Sequence, residues 1–207
     1  MVKKVKDIST EEKILVAAKK VFVTKGMDGA RMQDIADEAG INKALLHYYF
    51  RSKDKLFEVI FRQAAEQLFP HFEMVLSSDL DFFDKIRQII SNYIDVVSKN
   101  PYLPLFIVSE MNKSFESSHI VKTFFKDKPP AFFQKYIEEF EKNIRKGIVK
   151  KVDPVHVLIN MVAMCIFPFV AKPVINILLK SNEHQFKQLM EERKTIVADF
   201  VINSIKK

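Results

Sequence analysis

Between positions 14 and 205 the apolar residues of this chain recur at spacings of three and four, and no segment alternates like a strand. That period belongs to the α-helix and confines the chain to an all-α architecture. Only four glycines interrupt the pattern, while 19 phenylalanines give it bulk. With 207 residues, 48% of them apolar, the chain can bury a core in one large domain or two small ones.

Ser9 and Glu12 have the spacing of a capping box and predict a first helix, with Ile14, Leu15, Ala18, Val21 and Phe22 on one face and Gly26 as its stop. A second helix over residues 31–39 buries Ile35, Ala36 and Ala39 and breaks at Gly40. Asn42 caps a third that ends near Phe50. Ser52 caps a fourth, which turns Leu56, Val59, Ile60 and Ala64 inward and runs to about Phe69, where Pro70 predicts an interruption. Ile86, Ile89, Ile90, Tyr93, Ile94 and Val97 trace a fifth stripe, closed by Asn100 and Pro101. A short apolar helix is expected over residues 104–111, then a polar stretch over 113–130. Phe132, Phe133, Tyr136, Ile137, Phe140 and Ile144 form the next stripe, stopped by Gly147. Asp153 and Pro154 are an N-cap followed by proline at the first helical position, opening one very apolar helix over 154–179. A last helix carries Phe186, Leu189, Met190, Val197, Phe200, Val201 and Ile205. Three short helices thus make an N-terminal unit, residues 1–51, and longer ones make a bundle, residues 52–207.

Charge adds a direction. The formal charge is +7, and residues 1–55 hold 12 Lys/Arg against 8 Asp/Glu, over half of the excess. Lys3, Lys4 and Lys6 form a basic arm ahead of the first helix. Such a balance suits a polyanionic partner. The single cysteine, Cys165, lies in an apolar run and reads as a small buried hydrophobe in a reducing compartment. With no apolar signal core at the N-terminus, a cytoplasmic protein is expected. The apolar stretch after Asp153 is broken by His156, Asn160, Lys172, Asn176 and two prolines. A bilayer span needs about 20 consecutive apolar residues, so this stretch reads as a buried or subunit-interface helix and no membrane is expected. No Ser-His-Asp arrangement, phosphate-binding glycine loop or metal-spaced His/Cys cluster occurs, and the five histidines are scattered. An enzyme, a metal and a cofactor are therefore not expected.

Residues 31–50 have what a helix-turn-helix requires: small residues where two short helices cross, a glycine in the turn and a polar second helix. Ala36 and Ala39 are the small contacts, Gly40 is the turn, and Ile41 and Leu46 plug the core. Lys43, Ala44, His47 and Tyr48 are left to face outward.

The run from Ile14, Leu15, Val16, Ala17 and Ala18 through Phe22, Gly26, Ile35 and Ala36, then Ala39, Gly40, Ile41 and Asn42, then Leu46, His47, Tyr48, Tyr49 and Phe50, with Ser52 and Lys53, resembles the TetR (tetracycline repressor) family. The resemblance covers residues 9–60 without a gap. Three positions depart from the family pattern. Ala30 and Arg31 stand where two hydroxyl residues are common, Ala44 replaces a frequent glycine, and His47 a frequent tyrosine.

The resemblance implies an N-terminal three-helix DNA-binding unit and a C-terminal helical bundle for ligand binding and dimerisation. It places Lys43, Ala44 and Leu45 at the start of the recognition helix, near bases. Lysine can bond guanine O6 and N7, and Ala or Leu can touch a thymine methyl. It sets Asn42 at that helix's cap and Gln33 at the groove edge, and puts Arg31, His47, Tyr48, Tyr49 and Lys53 against phosphates. It further implies a homodimer through the last two helices, a palindromic double-stranded operator, and a small effector that releases it. Phe69, Phe72, Met74, Phe82, Phe83, Phe106, Met111, Phe115 and Phe133 suit an apolar or aromatic effector, although aromatic residues at helical spacing more often build core. On the family's base rate the regulator is a repressor. The alternative is a TetR-like scaffold on DNA that acts through a protein partner.

Overall fold

The computed structural model describes residues 9–101, 103–104 and 131–207, without the side chains of Met27 and Asp28. The basic arm, all but Pro104 of the helix expected over 104–111, the stretch 113–130, and Phe106, Met111 and Phe115 lie outside the described residues. Among those described there are nine helices: α1 Thr10–Gly29, α2 Met32–Ala39, α3 Lys43–Tyr49, α4 Lys53–Ser77, α5 Phe82–Lys99, α6 Ala131–Arg145, α7 Pro154–Val170, α8 Lys172–Leu179 and α9 Glu183–Ile205. They contain no strand, and a lone antiparallel bridge joins Val149 to Lys206.

Contacts divide the chain into two units, one ending at Gln63 and one beginning at Ala64, so α4 runs through the boundary. In the first unit Ile14, Ala18, Phe22, Ile35, Ala36, Leu46, Leu56, Phe57 and Ile60 are essentially fully buried. Gly26 takes φ 69°, ψ 171°, which breaks α1 internally before the helical turn that ends at Gly29.

The second unit is a bundle in which α5 packs along α9 and both contact α7. Its core contains the expected stripes, with Ile86, Ile90, Ile94, Phe140, Met161, Cys165, Met190, Val197 and Val201 all buried. Four of the aromatic residues offered as effector candidates pack against other rings of the bundle. Phe69 and Phe72 both pack on Phe132, and Phe82 meets Phe83 and, edge-on, Phe140. Met74, by contrast, is exposed.

Two boundaries in the second unit differ from the sequence expectation. The interruption at Pro70 does not occur, because α4 continues through it to Ser77. A proline inside a helix costs about 3 kcal/mol. Leu68, Phe72, Val75 and Leu76 are all buried around it, and each such burial contributes about 1.5–3 kcal/mol, so packing outweighs the lost bond. The apolar helix over 154–179 is instead two helices, α7 and α8, bent by 68° at Ala171. Pro173, in the first turn of α8, has no N–H to continue the ladder from α7, and there it is well placed to start a new helix. No single described helix is long and apolar enough to cross a membrane, although this bent pair has the combined length and composition. Helix α9 begins at Glu183, where Asn182 and Gln185 form a reciprocal capping box at 2.9 and 3.0 Å.

Cys165 is 2% exposed, and burial pushes its thiol up to about 12. It should therefore be inert in the native protein. A disulfide reagent at pH 8 should titrate one thiol only after unfolding in guanidinium. Full reaction of the folded protein within minutes would show that this core is open.

Candidate nucleic-acid interface

The two helices that carry the motif are set by a turn only a left-handed residue makes easily. Gly40 has φ 67°, ψ 33°. Its N–H donates to the Asp37 carbonyl at 3.1 Å, and that of Ile41 to the Ala36 carbonyl at 3.0 Å, closing α2. Asn42 then starts α3, its Oδ1 accepting from the Leu45 N–H at 2.7 Å. Two ion pairs fix α2 on α1: Lys20 to Glu38 at 2.6 Å and Lys25 to Asp34 at 2.9 Å. Exposed pairs of this kind contribute less than about 1 kcal/mol each, so they orient α2 more than they stabilise it. Asp34 also accepts from the Arg31 N–H at 3.1 Å. Its bond to the Lys25 ammonium, then this backbone bond, hold its carboxyl below the ordinary value.

Of the seven residues of α3, only Leu46 is buried, at 0% exposure. Lys43, Ala44, Leu45, His47, Tyr48 and Tyr49 all face solvent. Tyr48 is 81% exposed and stands edge-on to Tyr49, ring centroids 5.6 Å apart. Lys43 makes no ion pair among the described residues. His47 Nδ1 lies 3.3 Å from the Arg51 carbonyl, which can only accept, so Nδ1 carries the proton. Nε2 is then an acceptor in the neutral ring and a second donor in the charged one.

Three residues read from the sequence as DNA contacts have other commitments. Asn42 spends its oxygen on the cap. The Gln33 amide donates along α2 to Asp37 at 2.8 Å. The Lys53 ammonium donates to the Ala30 carbonyl at 3.2 Å, joining the start of α4 to the residue that ends α1. Arg31 is the N-terminal residue flanking α2, with φ −115° and ψ 150°, and its side chain makes no capping bond. The ion pairs of Lys20 and Lys25 were not foreseen, because sequence spacing alone does not bring α1 beside α2.

Residues 14–60, which contain all of this geometry, match the family described as bacterial regulatory proteins, tetR family. Residues 14–60 are thus similar to the N-terminal domain of TetR-family regulators. It is 24% identical over 192 residues to the probable HTH-type transcriptional regulator YttP of Bacillus subtilis, covering 90% of this chain and 91% of that one. It is 30% identical over 84 residues to the HTH-type transcriptional activator FasR of Mycolicibacterium smegmatis, a match to 41% of this chain that spans only 38% of FasR. The ketosteroid transcriptional regulator KstR2 of Mycobacterium tuberculosis shares the fold, with a TM-score of 0.74 at 15% identity over 98% of this chain and 97% of that one.

Two lysines test the division expected from the sequence between base reading and phosphate contact. Lys43→Ala should blur preference at one base-pair position and cost roughly 1–3 kcal/mol on the proper site. Lys53→Ala should weaken binding to every duplex and lower the salt slope by about one. Competition titrations at several salt concentrations distinguish the two. Identical behaviour of both variants would contradict this division of roles.

Proposed function

We propose that this chain is a sequence-specific DNA-binding transcriptional regulator that sits as a homodimer on a palindromic operator and represses until a small effector releases it. The observation that carries the reading is α3, a rigidly capped helix that gives one side chain to the core and six to solvent. Lys43, Ala44 and Leu45 are its base-reading end. Arg31, His47, Tyr48, Tyr49 and Lys53 are its phosphate contacts, while Asn42 and Gln33 hold the geometry and reach the groove edge. Two-fold symmetry of the protein would match that of the operator.

The last helices support the dimer. Ile159 and Phe167 on α7, Ile177 and Leu178 on α8, and Ile196 and Phe200 on α9 are each more than half exposed. A groove of about 330 Å³ between α7 and α9, floored by Ala163, Met164 and Val201, lies beside Phe200. So much exposed apolar surface on consecutive helices marks an association face. Phe200→Glu should convert the dimer to a folded monomer in sedimentation runs and weaken operator binding at least tenfold. A variant that remains dimeric would remove this face from the interface.

The central test is a titration with DNA from upstream of the chain's own gene. A clear preference over random duplex at moderate salt is expected, and equal affinity for both would overturn the regulator. Genome-wide occupancy then decides between regulator and scaffold. One or a few sites support the regulator, whereas dozens of dispersed sites support a scaffold acting through a protein partner.

A further inference from the structure

The bundle holds a second cavity, away from the α7–α9 groove, whose charges are unevenly committed. It has about 330 Å³, at the small end of the ligand-pocket range of roughly 300–1,000 Å³. The end of α5, the bend between α7 and α8, and the first half of α9 line it. Its apolar floor is Phe169, Phe186 and Met190, all at most 6% exposed, with the two rings edge-on at 5.8 Å.

Three carboxylates line the cavity, and each already holds an ammonium. Lys172 donates to both oxygens of Glu183 at 2.8 Å while lying 4.8 Å above the Phe186 ring. Lys194 reaches Asp95 at 2.6 Å and Glu191 at 2.5 Å. Two more lysines line the cavity, Lys99 and Lys187, and neither pairs with an acid among the described residues. A cationic guest would have to displace Lys172 or Lys194 from its carboxylates. An anionic guest finds two uncommitted ammonium groups above an aromatic floor.

We propose that this cavity binds a small amphipathic anion, its hydrocarbon or aromatic body on Phe169, Phe186 and Met190 and its carboxylate between Lys99 and Lys187. The regulatory meaning of such binding rests on the reading of the chain as an effector-released regulator, but the binding itself does not. Octanoate is a probe of suitable size, with octanol and octylammonium as its neutral and cationic counterparts. Calorimetric titration of the full-length protein should show octanoate binding more tightly than either counterpart. The surface double variant Lys99→Gln, Lys187→Gln should raise the octanoate Kd at least tenfold and leave octanol within twofold. Octylammonium binding as tightly as octanoate would overturn the proposal. So would a double variant that keeps its octanoate affinity, or no octanoate heat at millimolar concentration. No DNA is present in this titration, so octanoate binding by a protein that prefers no operator would count against the regulator reading alone.

Discussion

A helix of seven residues does not hold itself together in water, because isolated helices shorter than about 12–15 residues are marginal. The shape of α3 is therefore borrowed from one side chain and one cap. Leu46 is fully buried, and Asn42 accepts from the free N–H of Leu45. Every other residue of α3 is thereby left exposed. This separation lets the recognition surface vary while the fold stays put. It also accounts for departures from the family pattern at Ala44 and His47 that leave the helix-turn-helix intact.

A related economy holds α4 at its far end. Its last carbonyls have no partner within the helix. Lys85 of α5, with its side chain 6% exposed, donates to the Leu76 carbonyl at 3.0 Å and reaches Glu139 of α6 at 3.4 Å. A buried ammonium without partners costs several kcal/mol, but here a helix C-terminus and a carboxylate both receive it. Burial pushes the Glu139 carboxyl up, and Lys85 with Lys142 outweighs that, so it sits below its ordinary value. Lys135 adds a more exposed tie to Glu73 and Ser77 at 2.9 and 3.0 Å. The last turn of α4 is thus fixed to two neighbouring helices by directed bonds, where apolar packing alone would allow it to slide.

Local chemistry was legible, and competition between local and distant terms was not. The caps at Ser9, Asn42, Ser52 and Asp153 follow from side chains that bond backbone two or three residues on, and all four are present. Pro70 misled because its penalty is local while the burial of Phe72, Val75 and Leu76 is tertiary. The α7–α8 break lay inside a stretch read as one helix, since mean hydropathy does not report a missing donor at Pro173. At the candidate site, the outward face of α3 could be read from the period around Leu46. The commitments of Gln33 and Lys53 could not. The first needs a rotamer along α2, and the second needs Ala30 brought beside the start of α4.

Those commitments sharpen what the surface can do for a partner. A charged or polar group already satisfied by its own fold offers a guest only the difference between two similar interactions. Lys43, with no acid to hold, offers its full charge, while Lys53 must share its ammonium with the Ala30 carbonyl. The same reasoning applies inside the bundle. Lys172 and Lys194 are held by carboxylates, and among the described residues Lys99 and Lys187 are not.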